Sequence, residues 1–271
     1  MDLRPIGVFD SGLGGLTAVR RLSEVLPGED IVYLGDTSRV PYGSRSRETI
    51  KRYAGQDAAF LMSFDIKALV VACGTVSTTA LDVVEKACGN VPVFGVVEAT
   101  AKKAASSTKN GRIGLIATPA SIRSGAYAPA IRRYAPKAEI FDRACPLFVP
   151  LVENGRTEPG DVVIETVVRE YLEPLKNAGV DTLVLGCTHY PLLSRVIGAY
   201  MGKGVSLIDS GAATAEAVAA ALRAADALGS GEPGERRYFV TDSAEGFEKV
   251  ASLFLGSGIR GEVDQVSLEK Y

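Results

Sequence analysis

The sequence predicts an α/β chain: two pseudo-duplicated α/β domains with central, mostly parallel sheets flanked by helices, and an active site in the cleft between them. Three observations carry this reading. Short β-branched runs, each followed by a Gly/Ser/Thr turn and then a helical pattern, alternate from start to finish, as β-α units around a parallel sheet do. The segment ALVVACGTVS at 68–77 aligns with TLVLGCTHYP at 182–191, and the same offset of 114 residues carries Ala99, Thr100 and Ala101 onto Ala213, Thr214 and Ala215. A second pairing sets IGVFDSG at 6–12 against IGLIATP at 113–119, 107 residues on, so each half opens on an equivalent strand.

The clearest strands are 5–10, 30–34, 67–72, 92–97, 112–117, 181–186 and 205–208. Between them, 16–26, 47–63, 161–178 and 212–228 carry the three-to-four-residue apolar spacing of amphipathic helices. Gly28 and the run Asn177 to Gly179 mark helix ends, and Asp36 to Ser38 form a turn after a strand. Pro129 and Pro174 fall inside helical patterns and are expected to kink or break them, because proline lacks the amide donor and clashes with the preceding turn.

About sixty residues follow position 210, too few for a third domain. They are expected to return to the first unit, with 237–241 and 262–267 as further strands. The domains are then 1–97 plus 211–271, and 98–210, with hinge candidates at 97–100 and 209–212 where the chain crosses. Ligands of open α/β sheets bind outside the carboxyl ends of the strands, so two facing halves share one cleft.

Composition narrows the chemistry. At 271 residues and 46% apolar content the chain can bury a real core, and 30 basic against 32 acidic side chains give no electrostatic reason for a nucleic-acid partner. No run of 18 apolar residues points to a membrane, and the N-terminus carries no signal-peptide pattern, so a cytoplasmic protein with reduced thiols is expected. The single histidine, His189, excludes three-histidine zinc sites; the four cysteines, at 73, 88, 145 and 187, contain no C-x-x-C pair, so no metal is expected.

Cys73 follows LVVA and precedes Gly74-Thr75; Cys187 follows LVLG and precedes Thr188-His189. Both stand where backbone N–H groups become free at a strand end, a setting expected to lower a thiol pKa and to bind carboxylates. A cysteine used only for packing has no reason to reappear at the equivalent strand end. Two opposed thiols imply a two-base reaction in which one removes a proton from carbon and the other delivers one to the opposite face. Cys88, at a helix end, and Cys145, before Pro146 with no repeat partner, are read as structural.

FDSGLGGLT at 9–17, GDTSRVPYG at 35–43, VACGTVS at 71–77, LVENG at 151–155 and LGCTHYPLL at 185–193 closely resemble the cofactor-independent aspartate/glutamate racemases, and GCTHYP resembles the glutamate branch. The resemblance runs along nearly the whole chain. It implies racemisation of glutamate without a cofactor, supply of D-glutamate for peptidoglycan, and a homodimer. Cys73 and Cys187 would be the acid–base pair, Cys73 acting on the D-substrate and Cys187 on the L-substrate. Asp10 would exchange protons with Cys73, and His189 with Cys187. Substrate binding falls on Asp10, Ser11, Tyr42, Gly43, Gly74, Thr75, Thr118, Thr188 and His189, with Asp36 and Glu153 as further acidic matches. Asp36 is equally readable as a cap, Glu153 as a turn residue, and Tyr42-Gly43 as a turn led by Pro41.

The sequence departs from the family at Gly74, where asparagine is usual, which removes a side-chain amide from the pocket. Other readings stay open: an aspartate or related amino-acid racemase, or a non-catalytic ligand-binding member of the fold. A dinucleotide site is disfavoured because the glycines of SGLGG fall at 12, 14 and 15 rather than in G-x-G-x-x-G. A pyridoxal-phosphate enzyme is disfavoured because no lysine stands at a strand end in the cleft.

Overall fold

The computed structural model describes residues 1–259 and 261–271. Two parallel sheets organise it. The first contains β1 (Ile6–Asp10), β2 (Ile31–Gly35), β3 (Ala68–Val71) and β4 (Val93–Gly95); the second contains β5 (Arg112–Ala117), β6 (Glu139–Ala144), β7 (Thr182–Leu185) and β8 (Ser206–Asp209). The chain then returns to the first sheet with β9 (Arg236–Val240) and β10 (Val263–Gln265). Strand order is β10-β9-β2-β1-β3-β4 in one sheet and β6-β5-β7-β8 in the other, with every pair parallel. The run β4-β3-β1-β2 therefore repeats as β8-β7-β5-β6.

The helices are α1 (Leu16–Val25), α2 (Arg47–Met62), α3 (Gly74–Thr79), α4 (Leu81–Cys88), α5 (Val96–Ser107), α6 (Pro119–Ser124), α7 (Tyr127–Tyr134), α8 (Phe148–Glu153), α9 (Val162–Asn177), α10 (Ser194–Met201), α11 (Ser210–Ala224) and α12 (Ala244–Leu255). Local caps set several starts: the side chains of Ser46, Thr118, Asp161 and Asp209 accept from first-turn amides of α2, α6, α9 and α11. Strands β1, β2, β3 and β7 are buried along their whole length, as expected for parallel strands covered on both faces.

Four sequence expectations need correction. The strand expected at 92–97 stops at Gly95, and α5 takes over at Val96; the hinge candidates 97–100 and 209–212 fall at the starts of α5 and α11. β6 was not anticipated; it is an edge strand of charged and half-exposed residues, EIFDRA, without the apolar run of its neighbours. Pro129 is the third residue of α7, where the amide has no intrahelical partner to lose. Pro174 lies in α9, which continues to Asn177; the exposed Pro174 lies off the buried stripe of Ile164, Val168, Tyr171, Leu172 and Leu175.

A buried ion pair fastens the returning segment. Lys67 Nζ lies 2.5 Å from Glu29 Oε2, with both side chains almost fully buried, and donates to the carbonyls of Asp2 and Ala227. Glu29 Oε1 accepts from the Gly229 amide. Removing one partner strands the other charge, so Lys67→Met is expected to cost about 3–5 kcal/mol in urea unfolding. A loss near zero would mean that the segment is held by apolar packing alone.

Candidate active site

In each sheet the strand order reverses beside the first strand, between β1 and β3 and between β5 and β7, which is where open α/β sheets bind ligands. The carboxyl ends of these four strands bring Asp10, Cys73, Thr118 and Cys187 to one cavity of about 350 Å³. Ser11, Tyr42, Gly43, Gly74, Thr75, Thr188, His189 and Glu153 also line it. Of the catalytic and substrate-binding candidates named from the sequence, only Asp36 stays outside.

Glycine sets how closely the two halves approach. A Cβ on Gly74 would stand 2.5 Å from the Gly186 carbonyl oxygen, just before Cys187, so the departure from asparagine coincides with direct contact between the two cysteine turns. A Cβ on Gly14 would run into the Thr188 hydroxyl and the His189 ring. Hydrogen bonds cross beside these contacts: the Thr75 and Thr118 hydroxyls lie 3.0 Å apart, and the Thr17 hydroxyl donates to the Thr188 carbonyl.

The thiols differ in their surroundings. Cys73 Sγ lies 3.5 Å from Ser11 Oγ. Burial, and then the charge of Asp10, push the Cys73 thiol up to about 12, overriding the opposing hydrogen bonds from Ser11 and Val76. The expected lowering by strand-end amides is therefore not found at Cys73; desolvation of the thiolate is the larger effect. Asp10 is itself raised by burial, against the pull of His189 and the amides of Gly15, Gly12 and Ser11. Its Oδ2 accepts from the Gly12 amide, whereas Oδ1 is buried with no protein partner.

Around Cys187 the charge is reversed. His189 Nδ1 lies 4.0 Å from the Cys187 sulfur and Nε2 lies 3.0 Å from Glu153 Oε1, the last residue of α8. Burial opposes the imidazolium, but the bonds to Cys187 and Glu153 and the charge of Asp10 outweigh it and push His189 up to about 10. Phe254 of α12 packs edge-on against the ring. Glu153 is thus more than a turn residue: it orients and charges the histidine. Such a raised imidazole binds its proton more tightly in the folded chain. Its stabilisation is whole below about 6.5 and is lost as pH rises through about 10.

Two residues sit elsewhere than expected. Asp36 is fully buried behind the cavity, where it accepts from Arg39, Thr241 and the Tyr42 hydroxyl; its side chain does not cap the turn it begins. Cys145, expected to be purely structural, lies in the cavity wall with its carbonyl accepting from Tyr190. Its position just after β6, an edge strand without an apolar run, left no signal for this in the sequence. Cys88 ends α4 away from the cavity.

Because His189 is the only histidine, its ring resonances can be titrated without assignment. Glu153→Gln is expected to lower the midpoint by about one unit or more, because it removes the negative charge that favours the charged ring. An unchanged midpoint would reduce Glu153 to a turn residue.

Residues 6–218 match the family model of Asp/Glu/Hydantoin racemases. A glutamate racemase of Geobacter metallireducens is 51% identical over 270 residues, covering 99% of this chain and 98% of the relative. The structure of a Francisella tularensis glutamate racemase in complex with D-glutamate is 38% identical, covers all of both chains and superposes with a TM-score of 0.92. A Thermus thermophilus glutamate racemase in complex with beta-chloro-D-alanine is 43% identical with a TM-score of 0.87, again over all of both chains. The two sheets, the shared cavity and these likenesses place the chain in the Asp/Glu/Hydantoin racemase family of isomerases, alongside its glutamate racemases.

Proposed function

We propose that this chain interconverts L- and D-glutamate by a two-base reaction of Cys73 and Cys187, without a cofactor. The observation that carries the reading is the pair of thiols at equivalent strand ends of one cavity, each beside a different proton-exchanging group. In the L-to-D direction Cys187, as thiolate facing the His189 imidazolium, removes the α-proton. Cys73, held as a thiol by burial, delivers a proton to the opposite face. Once His189 has released its own proton to solvent it takes up the one on Cys187, and Asp10, itself raised by burial, re-protonates Cys73 and regains a proton from solvent.

Asp10 and Ser11 receive the substrate ammonium, and the unpartnered Oδ1 of Asp10 supports this placement. The carboxylates are held by hydroxyls and backbone amides of Tyr42-Gly43, Gly74-Thr75, Thr118 and Thr188, since no arginine or lysine lines the cavity among the described residues. Domains 1–97 with 211–271, and 98–210, close on the substrate; exclusion of water strengthens each of these interactions. The D-glutamate formed serves peptidoglycan synthesis in the cytoplasm, and the enzyme acts as a homodimer; family resemblance supports both.

Loss of optical rotation from L-glutamate, without added cofactor, tests the activity; turnover of aspartate but not glutamate would overturn the substrate. Serine at 73 or at 187 is expected to lower racemisation by about 10²–10⁴ or more. Enantiomers have equal free energy, so kcat/KM must fall equally in both directions. Cys88→Ser, distant from the cavity, is expected to leave turnover largely intact, and equal losses in all three variants would contradict the two-thiol assignment.

A further inference from the structure

We propose that Asp57, a buried carboxyl on α2 that does not line the cavity, is a positioning residue which fixes the Tyr42-Gly43 segment of the cavity wall for substrate binding. The inference rests on the glutamate reading above and adds a residue to it. Residues 37–48, which leave β2 and enter α2, contain a single buried side chain, Tyr42. Residues 40–44 wall the cavity, and Gly43 meets Thr118 of the other half, to which a Cβ at 43 would stand 3.1 Å away. Thr37 and Ser38 are tied to Asp242 and Thr241 at the start of the segment, so the stretch that reaches the cavity is positioned by whatever holds Tyr42 and Arg39.

Asp57 holds it from two sides. Tyr42 Oη lies 3.1 Å from Asp57 Oδ2 and also bonds Asp36, and the Arg39 guanidinium spans the two carboxyls, 2.5 Å from Asp36 Oδ2 and 3.0 Å from Asp57 Oδ1. Arg39 further donates to Gln56 and stacks over Tyr53, which itself packs against the Tyr42 ring. Both side-chain partners of Asp57, Tyr42 and Arg39, thus belong to the wall segment.

The proton count also closes. A phenol has one proton to donate, and two carboxylates exceed one guanidinium by one negative charge. Burial, followed by the charge of Asp36, raises Asp57 well above the usual carboxylate range, which favours its protonated form; with a proton on Asp57, that carboxyl can donate to Tyr42 while Tyr42 donates to Asp36. The cluster is then neutral and each bond has its hydrogen. Buried polar clusters are often no more stable than apolar ones of the same shape. This one fixes where the wall lies.

Asparagine at 57 reproduces a protonated aspartate, with an amide to donate to Tyr42 and an oxygen to accept from Arg39. Leucine fills similar space and can do neither. With glutamate as substrate, Asp57→Leu is expected to raise KM about tenfold with a much smaller fall in kcat, because the wall binds ground and transition states alike. Asp57→Asn is expected to restore KM to within about threefold.

Trypsin reads the same event without turnover: Asp57→Leu should speed cleavage after Arg45 or Arg47, and D-glutamate should slow it in the unaltered chain. An unchanged KM and cleavage rate in Asp57→Leu, or a fall in kcat alone alongside a lower Tm, overturns the proposal. If Asp57→Leu fails to fold, Tyr42→Phe removes the same bond, and an unchanged KM there is equally fatal. An unaltered chain that does not racemise glutamate defeats the underlying activity instead, while the cleavage measurement still decides the positioning role.

Discussion

The structure depends on bringing two polar strand ends, those of β3 and β7, together in a space largely closed to water. Desolvation sets the problem the surrounding residues solve. It pushes Cys73 and Asp10 toward their neutral forms, and it makes every remaining charge need a partner. His189 has Glu153, and Asp36 has Arg39, which also donates to Asp57. At Gly74 the approach is closest: a Cβ would stand 2.5 Å from the facing Gly186 carbonyl, so a side chain there requires the two cysteine turns to move apart.

Duplication supplies the pairing of the thiols but not their equality. Cys73 sits beside a carboxyl and a serine hydroxyl, Cys187 beside an imidazolium held by Glu153. On the proposed mechanism this asymmetry stores one proton on the Cys73 side before L-glutamate binds, and the reverse reaction starts from the opposite arrangement. A reaction between mirror images can therefore run on two chemically different relays, provided that each cysteine can exchange its proton between turnovers.

Most of the fold was legible because buried parallel strands are written as continuous apolar runs. IGVFD, IVYLG, ALVV and TLVL could be read directly. EIFDRA could not, because an edge strand needs no such run; only projecting β2 forward by the 107-residue offset would have found it. Within the site, motif and repeat located both cysteines, Asp10 and His189 in one cavity. What they left hidden depends on tertiary packing: the link from Glu153 to His189, Cys145 in the wall, and the withdrawal of Asp36 into a cluster with Asp57. No sequence pattern announces Asp57, a polar residue in the middle of α2.

The central claim, two thiols acting from opposite faces, is tested most directly by turnover of each enantiomer in heavy water at low conversion. Two bases predict that the newly formed enantiomer carries deuterium at its α-carbon while the unreacted substrate still carries protium. Deuterium appearing at equal rates in both pools, or protium retained in the product, would contradict it.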